Sequence, residues 1–184
     1  MLQTITKELI EEMAEKARTS PRKRALKCLH TPPKGPEDNS YEPQRLVNAF
    51  QRDTYAQPHK HGNRDANGNE DPNNPSKLET FTVLKGKLYV VFFDDQGHLR
   101  EEILLSNDLI PYVEVPPGTW HTVVGESEVS VGLEVKVLDP SNQQSPTYNM
   151  RTDKFFAPWA PKEGTPEAVQ YLEGLRKRLA IFRA

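Results

Sequence analysis

Between residues 78 and 138 short runs rich in β-branched and aromatic residues are cut at close intervals by turn formers. The breaks are Lys85-Gly86-Lys87, Asp94-Asp95-Gln96-Gly97, Asn107-Asp108 and Pro116-Pro117-Gly118. No run between them leaves room for the crossover helix that joins parallel strands, so the rhythm confines the segment to an antiparallel sandwich or barrel. Predicted strands cover 44–54, 79–84, 88–93, 98–105, 112–115, 120–124 and 129–138, and the pair flanking Gly86 reads as a hairpin. In the first strand Leu46 and Phe50 share one face, with Arg45, Val47 and Ala49 on the other.

The flanks have a different period. From Thr4 to Arg18 the apolar residues Ile5, Leu9, Ile10, Met13 and Ala17 recur at helical spacing, acids come early, and Lys16 and Arg18 come late. Pro21 ends that helix. A second helix starts at Thr165, Pro166 and Glu167, with Val169, Leu172, Leu175 and Leu179 as its apolar stripe. Residues 31–43 hold four prolines and a glycine and read as a loop, and the polar residues 62–77 read as a long exposed loop inserted between strands. The expected organisation is an N-terminal helix and basic extended arm over 1–43, a β-barrel over 44–140 carrying the 62–77 insertion, and a C-terminal linker and helix over 141–184.

Composition narrows the function classes. A net charge of −2 over 184 residues argues against a nucleic-acid partner, which would show as a basic excess. Cys28 is the single cysteine, so neither a disulfide framework nor a cysteine-based zinc site is available. Glu8, Glu11, Glu12 and Glu15 break up any apolar core of a signal peptide, and no run is long enough to span a bilayer. The expectation is a cytoplasmic protein with no membrane partner.

The chemistry is carried by histidines. His59 and His61 stand two apart on an extended segment and so point the same way. Glu79 and His121 arrive on other strands. Three imidazoles and one carboxylate converging inside a small β fold suit one divalent transition metal per chain, Fe, Mn, Ni or Zn, with positions left open for water or substrate. Arg22 and Arg24, in a three-residue basic run, are candidates for clamping an anion. His30, Arg45, Asn48, Tyr55 and Lys136 are candidates for lining a substrate pocket, while His98 sits by a turn and is expected in solvent. No catalytic residue is assigned.

These residues resemble the two-motif signature of the cupin superfamily. His59-x-His61, Glu79 and Gly86 follow the first motif, G-x5-H-x-H-x3,4-E-x6-G. Pro116-x-Gly118-x2-His121 follows the second, G-x5-P-x-G-x2-H-x3-N. Asp53 and Ile110 replace the leading glycines, Gly125 replaces the final asparagine, and 17 residues separate His61 from Glu79. Further segments, Ser20 to Arg24, Gln44 to Ala49, Tyr55 to His61, Glu79-Thr80-Phe81, Val113 to Pro116, Glu134-Val135-Lys136 and Phe156 to Pro161, are similar to the WbuC family of cupin-fold metalloproteins, named from O-antigen gene clusters. The resemblance implies a mainly β, double-stranded β-helix (a cupin jelly-roll barrel). Both terminal helices are expected to cover the outside of the barrel or a neighbouring subunit, and a homodimer is expected. The resemblance also implies a metal cupin with a small sugar or nucleotide-sugar ligand. Three functions are compatible with it: an isomerase or epimerase, a non-haem metal dioxygenase, or a non-catalytic binding module.

Overall fold

The computed structural model describes residues 4–29, 43–64, 67, 69–75, 78–136 and 154–181. In chain order the elements are α1 Lys7–Thr19, β1 Arg24–Cys28, β2 Gln44–Gln51, β3 His59–Arg64, β4 Glu70–Pro75, β5 Glu79–Lys85, β6 Lys87–Phe93, β7 Leu99–Ser106, β8 Tyr112–Val115, β9 Trp120–Gly125, β10 Val129–Lys136, β11 Lys154–Phe156 and α2 Pro166–Ile181. The strands form two antiparallel sheets, one ordered β1-β2-β10-β5-β8 and the other β11-β3-β9-β6-β7, with β4 paired on β3. Without β1, β4 and β11, the order β2-β10-β5-β8 facing β3-β9-β6-β7 is that of a jelly roll, a double-stranded β-helix built from Greek keys.

Side-chain alternation then divides the molecule into three layers of packing. Inward residues Phe50, Phe81, Val83, Leu88, Val90, Phe92, Leu105, Val113, Val115 and Val123 fill the space between the sheets. On the outside of the first sheet Val47, Ala49, Val129 and Val131 pack against Met13, Ala14 and Ala17 of α1. Outside the second sheet Tyr89, Val91, Phe93 and Val124 pack against Leu172, Leu175 and Leu179 of α2. Both faces of the central strands are therefore covered, which is why β2 and β6 carry apolar residues at odd and even positions alike. Helix α1 begins where Thr6 accepts a hydrogen bond from the Leu9 amide at 3.3 Å, an N-cap.

Three expectations are corrected. The strands flanking Gly86 do not form a hairpin: β5 pairs with β10 and β8, and β6 with β7 and β9. Gly86, at φ 71°, carries the chain from one sheet to the other, because β6 is apolar on both faces and takes a central place in the second sheet. The 62–77 segment is not all loop, since β4 folds back on β3 with Gly62 opposite Pro75 and Arg64 opposite Glu70. The polar residues of this segment leave no apolar period to read. In α2, Val169 is exposed and Ala168 takes its place in the buried stripe. The predicted loop at 31–43 lies outside the described residues except for its last position, as do the last two residues of the strand predicted over 129–138 and the linker that follows it up to residue 153.

Candidate metal centre

The site bridges the two sheets at the end of the barrel interior that is not apolar. His59 and His61 project from β3, and His59 stands opposite His121 on β9 in the strand register. Glu79 opens β5 on the facing sheet. One donor atom from each of the four residues lies within 4.8 Å of the others, and all four side chains are buried. The Nε2 atoms of His61 and His121 stand 2.9 and 2.8 Å from Oε2 of Glu79. Those approaches lack hydrogen-bond geometry, so His121 Nε2 and both Glu79 oxygens are buried without a hydrogen bond among the described residues.

Buried acceptors without donors are costly, and a cation between them removes the cost. The spacing agrees with this, because adjacent ligands of an octahedral cation with bonds of ~2.1 Å stand about 3.0 Å apart. The rings are also set for ligation. The Nδ1–H of His59 donates to the Gln57 carbonyl and that of His121 to the Thr119 carbonyl, each at 2.9 Å. Both bonds leave Nε2 as the unprotonated atom turned to the cluster. Burial, the Lys154 charge and the neighbouring imidazoles hold His59 well below its ordinary 6.5. Burial pushes the Glu79 carboxyl up, but His61 and His121 outweigh it and keep the group well below 4.5. Neutral imidazole and ionised carboxylate are the forms that bind a divalent metal.

A second polar layer lies beside the first. Glu134 on β10 is buried and accepts from Asn48 Nδ2 at 2.8 Å, and Lys136 Nζ is 3.3 Å from its Oε1. Burial and the charge of Glu79 raise the Glu134 carboxyl, while Lys136 and Lys154 pull the other way. Lys154 on β11, the strand beside β3, places Nζ 3.1 Å from Nε2 of His59. Gln44, opposite Lys136 in the register, buries an Oε1 with no hydrogen bond among the described residues.

Of the pocket candidates, the structure thus brings Asn48 and Lys136 to the cluster. Arg45 lies on the other face of β2 and reaches the Leu29 carbonyl at 3.5 Å. Tyr55 donates to the Pro161 carbonyl at 2.8 Å and packs edge-on against Tyr171 of α2. Arg22 and Arg24 both bind Glu163, at 2.9 Å. His30 lies outside the described residues, and His98 is exposed beside Asp94.

Glu134, Lys154 and Gln44 are additions that the sequence reading does not single out as site residues. The signal for Glu134 was present. Ser130, Gly132, Glu134 and Lys136 alternate with Val129, Val131, Leu133 and Val135, and because α1 covers the outer face it is the polar set that points inward. Lys154, on a strand of three residues, offers no period to read.

Several solved structures are similar to this chain. The capsular polysaccharide assembling protein CapF from Staphylococcus aureus is 20% identical over 75% of this chain and 32% of its own, with a TM-score of 0.48. A cupin superfamily protein from Desulfitobacterium hafniense is 14% identical over 63% of this chain and 78% of its own, with a TM-score of 0.41. The DMSP lyase DddQ from Ruegeria pomeroyi is 18% identical over 63% of this chain and 47% of its own, with a TM-score of 0.42. This chain thus spans about a third of the length of CapF. No curated protein matches the sequence. No helix among the described residues is long and apolar enough to cross a membrane. Residues 5–105, more than half of the sequence, match the family model described as a domain of unknown function, DUF6016, and the chain belongs to that family.

Proposed function

We propose that this jelly roll is a metal-dependent enzyme that shifts a proton on a small oxygen-rich substrate, a sugar or nucleotide sugar, in an isomerisation. The observation that carries the reading is Glu134. A metal cluster kept only for structure needs no second buried carboxylate with a raised pKa beside it, held by Asn48 and faced by Lys136.

His59, His61, Glu79 and His121 would hold the metal, which when bound supplies Lewis-acid polarisation of a substrate oxygen. Glu134 then does the proton work. Its carboxylate takes the proton from the hydroxyl-bearing carbon next to a carbonyl, and the resulting acid returns it to the former carbonyl carbon from the same side, while the proton of that hydroxyl passes to the former carbonyl oxygen. Asn48 fixes which oxygen of Glu134 faces inward, and the burial of all these groups keeps bulk water from quenching the exchange. Epimerisation at one carbon needs a second proton donor on the opposite face.

The test combines metal analysis with isotope exchange. Protein purified without chelators is analysed for metal, then incubated in D2O with a panel of aldoses, ketoses and nucleotide sugars, and deuterium incorporation is read by mass spectrometry. One sugar gaining a deuteron with wild type and none with Glu134→Gln, at equal metal content, supports the reading. Substrate-dependent oxygen consumption points instead to a dioxygenase. Ligand-induced stabilisation without exchange or product points to a binding module.

A further inference from the structure

Lys154 and His59 raise a question of occupancy. The ammonium of Lys154 donates to Nε2 of His59, the same lone pair that a metal at this site takes. One lone pair serves one of them. When the cluster is loaded, Lys154 must give up that bond while β11 remains paired to β3 through Lys154 opposite His61. Its positive charge therefore stays beside the centre.

The charge balance of the polar layer gives this a consequence. Lys136 and Lys154 offset Glu79 and Glu134, so a divalent cation adds two positive charges for which the described residues bury no counter-charge. Uncompensated charge in a buried site is costly, and an anionic ligand at the open metal positions removes it. Gln44 adds a second requirement. Its buried Oε1 accepts from no described donor and stands in register with Lys136, which suits a ligand hydroxyl.

Resting on the metal-enzyme reading above, we propose that the ligand is a hydroxy-substituted oxyanion, with Lys154 as the residue that selects for the negative charge. A neutral polyol of the same size is rejected because it leaves the charge of the loaded site unbalanced. Lys154 is half-buried on a short edge strand outside the eight-stranded core.

The experiment uses full-length protein stripped by chelator and reloaded with Co2+, whose visible bands respond to a ligand entering an open position. It is titrated with glycolate, acetate and ethylene glycol. The expected result is saturable binding of glycolate and none of ethylene glycol. Lys154→Met is expected to weaken glycolate about tenfold or more, as loss of a charge-assisted contact does. Lys154→Arg keeps most of the affinity. Cobalt affinity in Lys154→Met stays equal or rises, because a competitor for His59 is gone, whereas a merely structural lysine would lower it. Acetate binding as tightly as glycolate shows that charge alone is selected and overturns the hydroxyl requirement. Equal binding of ethylene glycol, or an unchanged Lys154→Met, overturns the proposal while cobalt uptake leaves the metal centre standing. Failure of wild type to take up cobalt sinks both.

Discussion

Removing His121 separates the metal centre from the barrel that carries it. In wild type, a metal present at a hundredfold excess over its dissociation constant stabilises the folded chain by about 2.7 kcal/mol. For a chain of 184 residues, at ~2–4 °C per kcal/mol, that is a rise of roughly 5–11 °C in Tm over chelator-treated protein. His121→Ala abolishes the increment by deleting one donor. Its own cost in the metal-free state is smaller than for an apolar core residue. The variant loses the Nδ1–H bond to Thr119 and the ring packing against His59 at 4.6 Å, but it also removes a buried Nε2 that has no hydrogen bond. The first two terms and the last each amount to about 1–3 kcal/mol, so the net loss is on the order of 1–2 kcal/mol. Calorimetry of stripped and metal-titrated protein reads both quantities at once. A His121→Ala variant that still gains the full wild-type increment from added metal would refute the assignment of His121 as a ligand.

Further outcomes follow from other parts of the molecule. Metal-free protein loses stability on acidification below about pH 6.5: His59 is depressed when folded, so the unfolded chain binds the extra proton, at up to ~1.4 kcal/mol per pH unit. Glu79, also depressed, adds a loss that sets in below about 4.5, and His59→Gln flattens the upper part of the limb in urea titrations between pH 5 and 7. Gly86→Ala destabilises by roughly 1–3 kcal/mol, because φ is 71° and a Cβ would lie 2.8 Å from the Val129 carbonyl oxygen; an unchanged urea midpoint contradicts the sheet-switching role. Tyr55→Phe costs about 1 kcal/mol through the bond to Pro161 and leaves metal content unchanged, whereas metal loss with unchanged stability would place Tyr55 in the site instead.

Strands β2 and β5 to β10 and the four donors are legible in the sequence because each rests on a local pattern, whereas β1, β4 and β11 are not. Turn formers mark the ends of β5 to β10, and the histidine pair carries its facing with it through the strand period. Pairing partners are not local. The turn at Gly86 has the same residues whether it closes a hairpin or turns a jelly-roll corner, and only the two-sided burial of β6 decides between them. Glu79 shows the converse. Seventeen residues separate it from His61, yet the ribbon formed with β4 takes up part of that length outside the barrel, and the carboxylate still arrives. The inward direction of Glu134 and Lys136 was open to the period-2 reading of β10, but its sign depends on α1 covering the other face, which is a tertiary fact.

That dependence explains how the barrel tolerates its own interior. Between the sheets, Gln44, Asn48, His59, His61, Glu79, His121, Glu134 and Lys136 occupy buried positions that an ordinary sandwich would fill with aliphatic side chains. Each exchange forfeits about 1–3 kcal/mol of apolar burial and adds a desolvation cost. The compensation lies on the outside. Helices α1 and α2 convert both outer faces into additional apolar packing, so that β2, β10, β6 and β9 are held from behind. A register slip of one residue in β10 would expel Glu134 and Lys136 from the interior and drive Leu133 and Val135 into the metal layer. Val129 and Val131 under α1 oppose such a slip, because it would turn both away from the helix. Helix α1 therefore acts on the site at a distance: by holding the apolar face of β10, it fixes which carboxylate stands beside the metal ligands.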